Sequence, residues 1–351
     1  MNGRYVRMCL NLSGLLMRNI AIDFGTVNTL IAIKGRGIVL REPSAVAVSA
    51  DERREPLAFG REAMQMLGRT PGGINVVYPM RDGVVADYAL SAEMLKYFIQ
   101  AALGHKVGAL GVRLVLCLPL CVTEVERRAL ADAARGAGAR DVLMLDEPLA
   151  AAVGADLPVF EPIGSMVVDI GGGTTDVAVL ALGGIAASAS VRTGGTHLDA
   201  AVREHVQKAH GVMVGERTAE EIKIALGNAL PGGTERMQVR GRKLDTGLPT
   251  SLILNAGEVA HAIAPAVQRI VAAVKDALSE TPPELAGDLY CGGITLTGGG
   301  AELRGLDRLI SQETGMPVRV EESPLDCVAL GALRMLDRQE AFAEAAHTLE
   351  A

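Results

Sequence analysis

Tryptophan is absent from the chain, and Phe and Tyr bring the aromatic share to only 3% of 351 residues. A core of the size this length allows cannot rest on ring packing, so it must be built from Ala, Val, Leu and Ile. Cysteine is also scarce. Five residues, at positions 9, 117, 121, 291 and 327, are odd in number and scattered, which speaks against a disulfide framework and for reduced, buried thiols in a cytosolic protein. Cys117 and Cys121 flank Leu118-Pro119-Leu120, but no companion Cys/His pair completes a zinc set. No apolar stretch approaches the roughly 18 residues of a membrane span. No basic block offsets the formal charge of -7, which argues against nucleic acid as a partner. The GxxxxGK[ST] motif is missing, so a P-loop is excluded, and no Ser/His/Asp arrangement stands out. The six His are dispersed without a ligand set around any of them, with His261 and His347 on predicted helices and His197 in a predicted loop.

What is present centres on Met166 to Leu180, MVVDIGGGTTDVAVL. An apolar run enters Asp169, Gly171-Gly172-Gly173 and Thr174-Thr175 follow, and apolar alternation resumes after Asp176. Two β-branched runs around a glycine-rich turn read as a β-hairpin. Glycines let successive backbone N–H groups converge on an anion, and threonine hydroxyls add donors. An Asp at the strand end suits a divalent cation held through water beside phosphates. Alone, such a stretch reads equally well as an ordinary hairpin turn. The pattern recurs, however, in Asn19 to Lys34, NIAIDFGTVNTLIAIK, where Asp23 precedes Gly25-Thr26-Val27-Asn28-Thr29. A third glycine turn, Gly298-Gly299-Gly300, follows Ile294-Thr295-Leu296-Thr297 and is expected to open a helix through Ile310. An internal repeat of this kind predicts two similar domains, each offering one phosphate-gripping hairpin to a nucleotide held between them.

With these residues in view, the sequence resembles the actin, Hsp70 and sugar kinase ATPase superfamily, and within it the bacterial actin homologues of the MreB/Mbl family. The resemblance runs from about Ile20 to Leu336 and includes PMRDGVVADY, DEPLAAAVGADLPV, GSMVVDIGGGTTDVAVLALGGI, GERTAEEIKI and ITLTGGGAELRGLD. It implies an α/β, actin-like two-domain ATPase fold with duplicated mixed-sheet domains and a nucleotide cleft. It implies ATP and Mg2+ as cofactors, with Asp23 and Asp169 holding the metal through water. Thr26, Val27 and Asn28, together with Gly171, Gly172, Gly173 and Thr174, would grip the phosphates. Gly194, Gly195, Gly298, Gly299, Gly300 and Ala301 would approach the nucleotide, and Glu220, Glu221, Ile222 and Lys223 would meet its ribose and adenine. Glu147 aligns with the residue that orients the attacking water, and Thr175 and Asp176 line the same pocket, whereas Asp146 reads as a cap or surface charge. Two departures stand out. Asp176 replaces the Glu usual in the family, and Thr196-His197 follows Gly194-Gly195 where an acidic residue is usual, which weakens a polar contact from position 196.

The resemblance further implies slow ATP hydrolysis coupled to polymerisation into polar or antiparallel protofilaments. It also implies attachment to the inner face of the cytoplasmic membrane and partners in the cell-wall elongation machinery. Two rivals remain in other classes. An Hsp70-like chaperone would need a peptide-binding domain for which this length leaves no room, and a small-molecule kinase would need a catalytic base not already assigned.

The expected domains are an amphipathic segment at 1–18, a first domain at 19–160 with an outer part near 50–90, and a second at 161–325 with an outer part near 196–255. Residues 326–351 would return to the first domain and end in a tail. Glu42 to Val48 reads as one strand, Thr123 with Glu126 as a capping box, and Glu258 to Ser279 as a long amphipathic helix. At the N-terminus, Tyr5, Met8, Cys9, Leu12, Leu15 and Leu16 share one helical face, with Arg4, Arg7, Asn11 and Arg18 opposite. An apolar face, a basic face and no acidic residue match an interfacial membrane helix, the alternatives being a disordered leader or a true start at Met8 or Met17.

Overall fold

The run Ile20-Ala21-Ile22 lies within β1 (Arg18–Phe24), which turns through Gly25 into antiparallel β2 (Asn28–Ile33) and on to β3 (Gly37–Pro43). This computed structural model describes residues 18–70, 72–104 and 111–336. The expected membrane helix before Arg18, part of the loop after Leu103, and the tail beyond Leu336 lie outside the described residues. Over the described residues the chain divides into two units. One takes in residues up to Leu118, Val122–Gly154 and those from Val328 onward; the other takes Pro119–Cys121 and Ala155–Cys327.

In the first unit, Glu42 to Val48 is not one strand. Pro43 ends β3, and β4 (Val46–Ser49) starts in another sheet, because Ser44 between them is buried and tied by its side chain to Gly25 and Thr29. That small sheet, ordered β5-β4-β6 with β5 (Pro56–Phe59) and β6 (Ile74–Val77), carries α1 (Gly60–Met66). Its buried core is Ala45, Ala47, Ala58 and Ala63, with Met64, Met66, Ile74, Val76 and Tyr78 packed against it. A short hairpin, β7 (Met80–Arg81) with β8 (Val84–Val85), occupies the stretch before α2 (Tyr88–Leu103), whose first turn is capped by the Asp87 carboxylate accepting from Leu90 N–H. Strand β9 (Val112–Leu118) and α3 (Glu124–Gly136) follow, the helix opened by the predicted Thr123–Glu126 capping box. Next come β10 (Ala139–Asp146) and α4 (Glu147–Gly154). The main sheet runs β10-β9-β1-β2-β3, an antiparallel meander with two parallel strands added at β1.

The second unit repeats this topology. Strands β11 (Ser165–Ile170), β12 (Thr175–Ala181) and β13 (Gly184–Val191) form the meander. After them come α5 (Gly195–His210), β14 (Val212–Met213), α6 (Glu216–Leu226) and the hairpin of β15 (Arg236–Lys243) and β16 (Pro249–Asn255). Helix α7 (Ala256–Ser279) buries Val259, Ile263, Val267, Ile270 and Val274, the face expected from their spacing. Pro282-Pro283 ends α7 but also starts α8 (Pro283–Gly292), because proline at a first helical position costs no hydrogen bond. Strand β17 (Ile294–Thr297) then adds parallel to β11. The glycine turn after it opens only a 3-10 turn, Gly299–Glu302, and the α-helix α9 (Leu306–Thr314) begins after Gly305. Strand β18 (Val318–Val320) completes the order β13-β12-β11-β17-β18, position for position the pattern of the first unit. Helix α10 (Cys327–Met335) belongs to the first unit from Val328 onward.

Candidate functional site

The two hairpin turns are built alike. In the first unit, Gly25 is obligatory, since a Cβ there would stand 2.8 Å from the Asn28 carbonyl oxygen. The carbonyls of this turn face Ser44, whose hydroxyl donates to Gly25 O at 2.7 Å and whose amide donates to Val27 O at 2.8 Å. Among the described residues, no backbone carbonyl accepts from the amides of Gly25, Thr26 and Val27. Thr26 Oγ1 accepts from Gly83 N–H at 3.0 Å, which ties the turn to the β7–β8 hairpin and leaves the hydroxyl proton to donate elsewhere. Asn28 is exposed, and Asp23 is half-buried two residues before the turn.

In the second unit, Gly171 N–H closes the turn onto Thr174 O at 2.9 Å. The Gly171 and Gly172 carbonyls accept from the amides of Gly195 and Thr196, at 3.0 and 2.9 Å. Here too no backbone carbonyl among the described residues accepts from three consecutive amides, those of Gly172, Gly173 and Thr174. Three consecutive turn N–H groups without a backbone acceptor, on a turn whose Gly171 and Gly172 carbonyls are drawn off to a neighbouring loop, have the make-up of an anion-binding nest. Gly194 and Gly195 thus act beneath the turn. A Cβ on Gly194 would stand 2.5 Å from Gly171 O, so only glycine lets the two loops meet. Thr196, where the missing acidic residue weakened the expectation of a polar contact, donates its hydroxyl to Gly172 O at 2.9 Å. His197 lies in the first turn of α5 rather than in a loop, and its Nδ1 accepts from Gly194 N–H at 3.2 Å.

Asp169 faces Asp176 across the β11–β12 ladder and is buried. Burial pushes its carboxyl up to about 7; a hydrogen bond from the Thr297 hydroxyl at 2.7 Å works the other way, and the Asp176 charge adds to the rise. A buried carboxylate held at such a cost beside a nest of free amides suits a divalent cation accompanying phosphates. Asp23 holds the equivalent, penultimate position on β1 of the first unit.

Other expected residues are committed to the protein itself. The Thr175 hydroxyl donates to Thr193 O at 2.7 Å, and Asp176 Oδ1 accepts from Leu120 N–H at 3.0 Å, fixing residues 119–121 against β12. Burial, with the Asp176 charge beside it, pushes the neighbouring Cys121 thiol up. Gly298 and Gly300 meet Ile170 at the end of β11, where a Cβ would come within 2.4 Å of its carbonyl and 2.3 Å of its Cγ2, so packing alone requires both. A Cβ on Gly299 would meet Leu325, and Ala301 is buried. On α6, Ile222 is in the core, Glu221 pairs with Arg217, Glu220 is half-buried, and Lys223 Nζ lies 2.9 Å from Asp199 and 3.3 Å from Gly195 O. Glu147 is the buried first residue of α4. That helix is positioned by α10: a Cβ on Gly331 would overlap Ala150 O at 1.8 Å, and Arg334 donates to the Val153 and Gly154 carbonyls. Asp146, directly before α4, makes an ion pair 3.0 Å from Arg127 in a largely buried contact. Ser44, Thr196, Asp199 and Thr297 were missed in the sequence because each works on a residue 15 to 128 positions away.

Duplicated five-stranded sheets, each with an Asp-tipped strand and a glycine–threonine turn, define an actin-like fold. Comparison with known proteins narrows this. The MreB/Mbl protein family model matches residues 17–344. The chain is 50% identical to the cell shape-determining protein MreB of Escherichia coli strain K12, over 92% of this chain and 95% of the relative. It is 43% identical to the cell shape-determining protein Mbl of Bacillus subtilis, over 93% and 98%. The crystal structure of MreB5 of Spiroplasma citri bound to AMPPNP superposes with a TM-score of 0.86 at 33% identity, covering 93% of this chain and 97% of that one. A MamK double helical filament shares the fold at a TM-score of 0.76 and 20% identity, covering 92% and 99%. The chain belongs to the MreB/Mbl family.

Proposed function

We propose that this chain is an ATP-dependent, filament-forming cytoskeletal protein that hydrolyses ATP slowly, works at the inner face of the cytoplasmic membrane and helps to set cell shape by organising cell-wall synthesis. The observation that carries the nucleotide reading is the pair of nests, three open amides in each unit, each below an Asp. The AMPPNP and ADP complexes of the Spiroplasma citri relative support it, and the cell-shape role of the Escherichia coli and Bacillus subtilis relatives supports the cellular role. No helix among the described residues is long and apolar enough to cross a membrane.

In this reading the amides of Gly25 to Val27 and of Gly172 to Thr174 donate to phosphate oxygens, and the Thr26 hydroxyl adds a donor. Asp23 and Asp169 hold Mg2+, which when bound neutralises phosphate charge. Glu147 accepts a hydrogen bond from the attacking water and orients it. Thr175 and Asp176 act as positioning residues through Thr193 and Leu120. Phosphoryl transfer is mainly positioning and charge neutralisation, so this inventory suffices for slow turnover.

The test pairs sedimentation with turnover. Wild-type protein should pellet with ATP and release phosphate. Glu147→Ala should still bind a fluorescent ATP analogue while phosphate release falls at least roughly tenfold, the low end for one positioned acid–base group. Near-normal turnover in that variant would overturn the role of Glu147, and failure of wild type to pellet would overturn the filament.

A further inference from the structure

Helices α5 and α7 bring together three side chains that sequence spacing did not connect. His205 and His210 lie near the C-terminal end of α5, and Glu258 lies in the first turn of α7. One ligand atom from each of the three falls within 4.8 Å of the others. Glu258 Oε2 is 2.8 Å from His210 Nε2 and 3.6 Å from His205 Nε2. Ligands of a tetrahedral zinc ion, bound at about 2.0–2.2 Å, stand about 3.3–3.5 Å apart, a value these two distances bracket.

A His210–Glu258 hydrogen bond alone would account for two of the residues. It leaves the third unexplained, because His205 Nε2 is buried and makes no hydrogen bond among the described residues. An unsatisfied buried nitrogen is costly, and a cation seated between it and the Glu258 carboxylate would satisfy it. The other carboxylate oxygen is held by the Asn255 side chain, whose Oδ1 in turn caps Glu258 N–H at 2.9 Å, so the carboxylate is oriented by an outer partner as in metal sites. The C-terminal end of α5 favours a cation there as well.

We propose that His205, His210 and Glu258 form a site for a borderline divalent metal, Zn2+ in the first instance, with a fourth position left to water. Imidazole donors exclude Mg2+ from the role and make this site chemically separate from the phosphate nests. Such an ion would staple the end of α5 to the start of α7. The opposite end of α5 begins at Gly195, whose amide supports the Gly171 carbonyl, so the staple would brace the helix that carries the phosphate turn.

The experiment uses the full chain without nucleotide, in excess Mg2+ to fill oxygen-only sites. Zn2+ is titrated by calorimetry, thermal melting is followed with and without Zn2+, and Co2+ serves as a visible-absorption probe of tetrahedral coordination. Wild type should take up one Zn2+, melt at a higher temperature with it, and give the intense tetrahedral Co2+ bands. His205→Ala, His210→Gln and Glu258→Gln should each weaken Zn2+ uptake roughly tenfold or more. His261→Ala, on an exposed position of the same α7, should bind as wild type does. Melting without metal verifies that each variant is folded, and the milder His210→Gln keeps the test decisive if His205→Ala is not. No uptake by wild type, or uptake unchanged in His210→Gln and Glu258→Gln, overturns the site; uptake lost only when cysteines are replaced overturns it too.

Discussion

Gly194 shows how one missing methyl group can hold in shape the turn proposed to bind phosphate. Its neighbours on the would-be Cβ side are the Gly171 and Gly172 carbonyl oxygens, at 2.5 and 2.8 Å, and backbone atoms cannot swing aside as a long side chain would. Gly194→Ala should therefore push the Gly195 and Thr196 amides off the turn, at the 1–3 kcal/mol or so typical of overpacking. The expected result is weaker binding of a fluorescent ATP analogue with a lower melting temperature. Gly215→Ala, where a Cβ meets nothing within 4 Å, is the matched control. Equal affinity in Gly194→Ala would mean that the loop below the turn does not shape it. The glycine pair was legible in the sequence, but its job was not. Motif reading aims glycines at the ligand, whereas here the steric demand comes from the protein's own carbonyls.

Between elements, the Asp199–Lys223 pair joins α5 to α6, and its electrostatics run against intuition. Lys223 lies 2.9 Å away, yet burial outweighs it and raises the Asp199 carboxyl to about 6. A carboxyl at about 3.9 in the unfolded chain then binds a proton on folding throughout the window from about 4 to 6. The sign follows from linkage: where the native state holds more protons, stability falls as pH rises. The contribution is fully present below about 4 and gone above about 6, on the order of 2–3 kcal/mol at most. Urea unfolding of wild type and Asp199→Asn at several pH values should show a shallower decline across that window in the variant. Parallel curves would remove Asp199 as its source. Elements themselves were legible wherever local physics decides. The period of α7, the Thr123–Glu126 box, and the strands around both turns all follow from spacing and capping. Helix α8 was hidden because Pro283 reads as a stop as readily as a start. The break at Ser44 was hidden because the bonds that cause it run to Gly25 and Thr29, and the glycines at 298 and 300 answer to Ile170 on a distant strand.

For the molecule as a whole, the proposed membrane attachment depends on how many chains act together. The segment of residues 4 to 18 lies, apart from Arg18, outside the described residues. Each apolar residue on the Tyr5, Met8, Cys9, Leu12, Leu15, Leu16 face could contribute on the order of 1.5 kcal/mol on burial. Each Arg adds about 1 kcal/mol at an anionic surface. Ordering the segment as a helix costs about 1.5 kcal/mol per residue, a comparable sum, and Gly14 raises it. One copy should therefore bind weakly and reversibly. A filament presents many copies at fixed spacing, so each later contact is intramolecular and the assembly binds firmly. Attachment should consequently follow polymerisation. In co-flotation with anionic liposomes, the full chain should float with ATP and much less without it, and added salt should weaken both as the Arg contribution is screened. A chain starting at Met17 should still pellet with ATP but stay off the liposomes. If the two chains float equally, the N-terminal segment is not the anchor and the sequence stretch Leu103 to Leu110 is tested next; if the full chain floats equally well without ATP, a single copy suffices and avidity is not the mechanism.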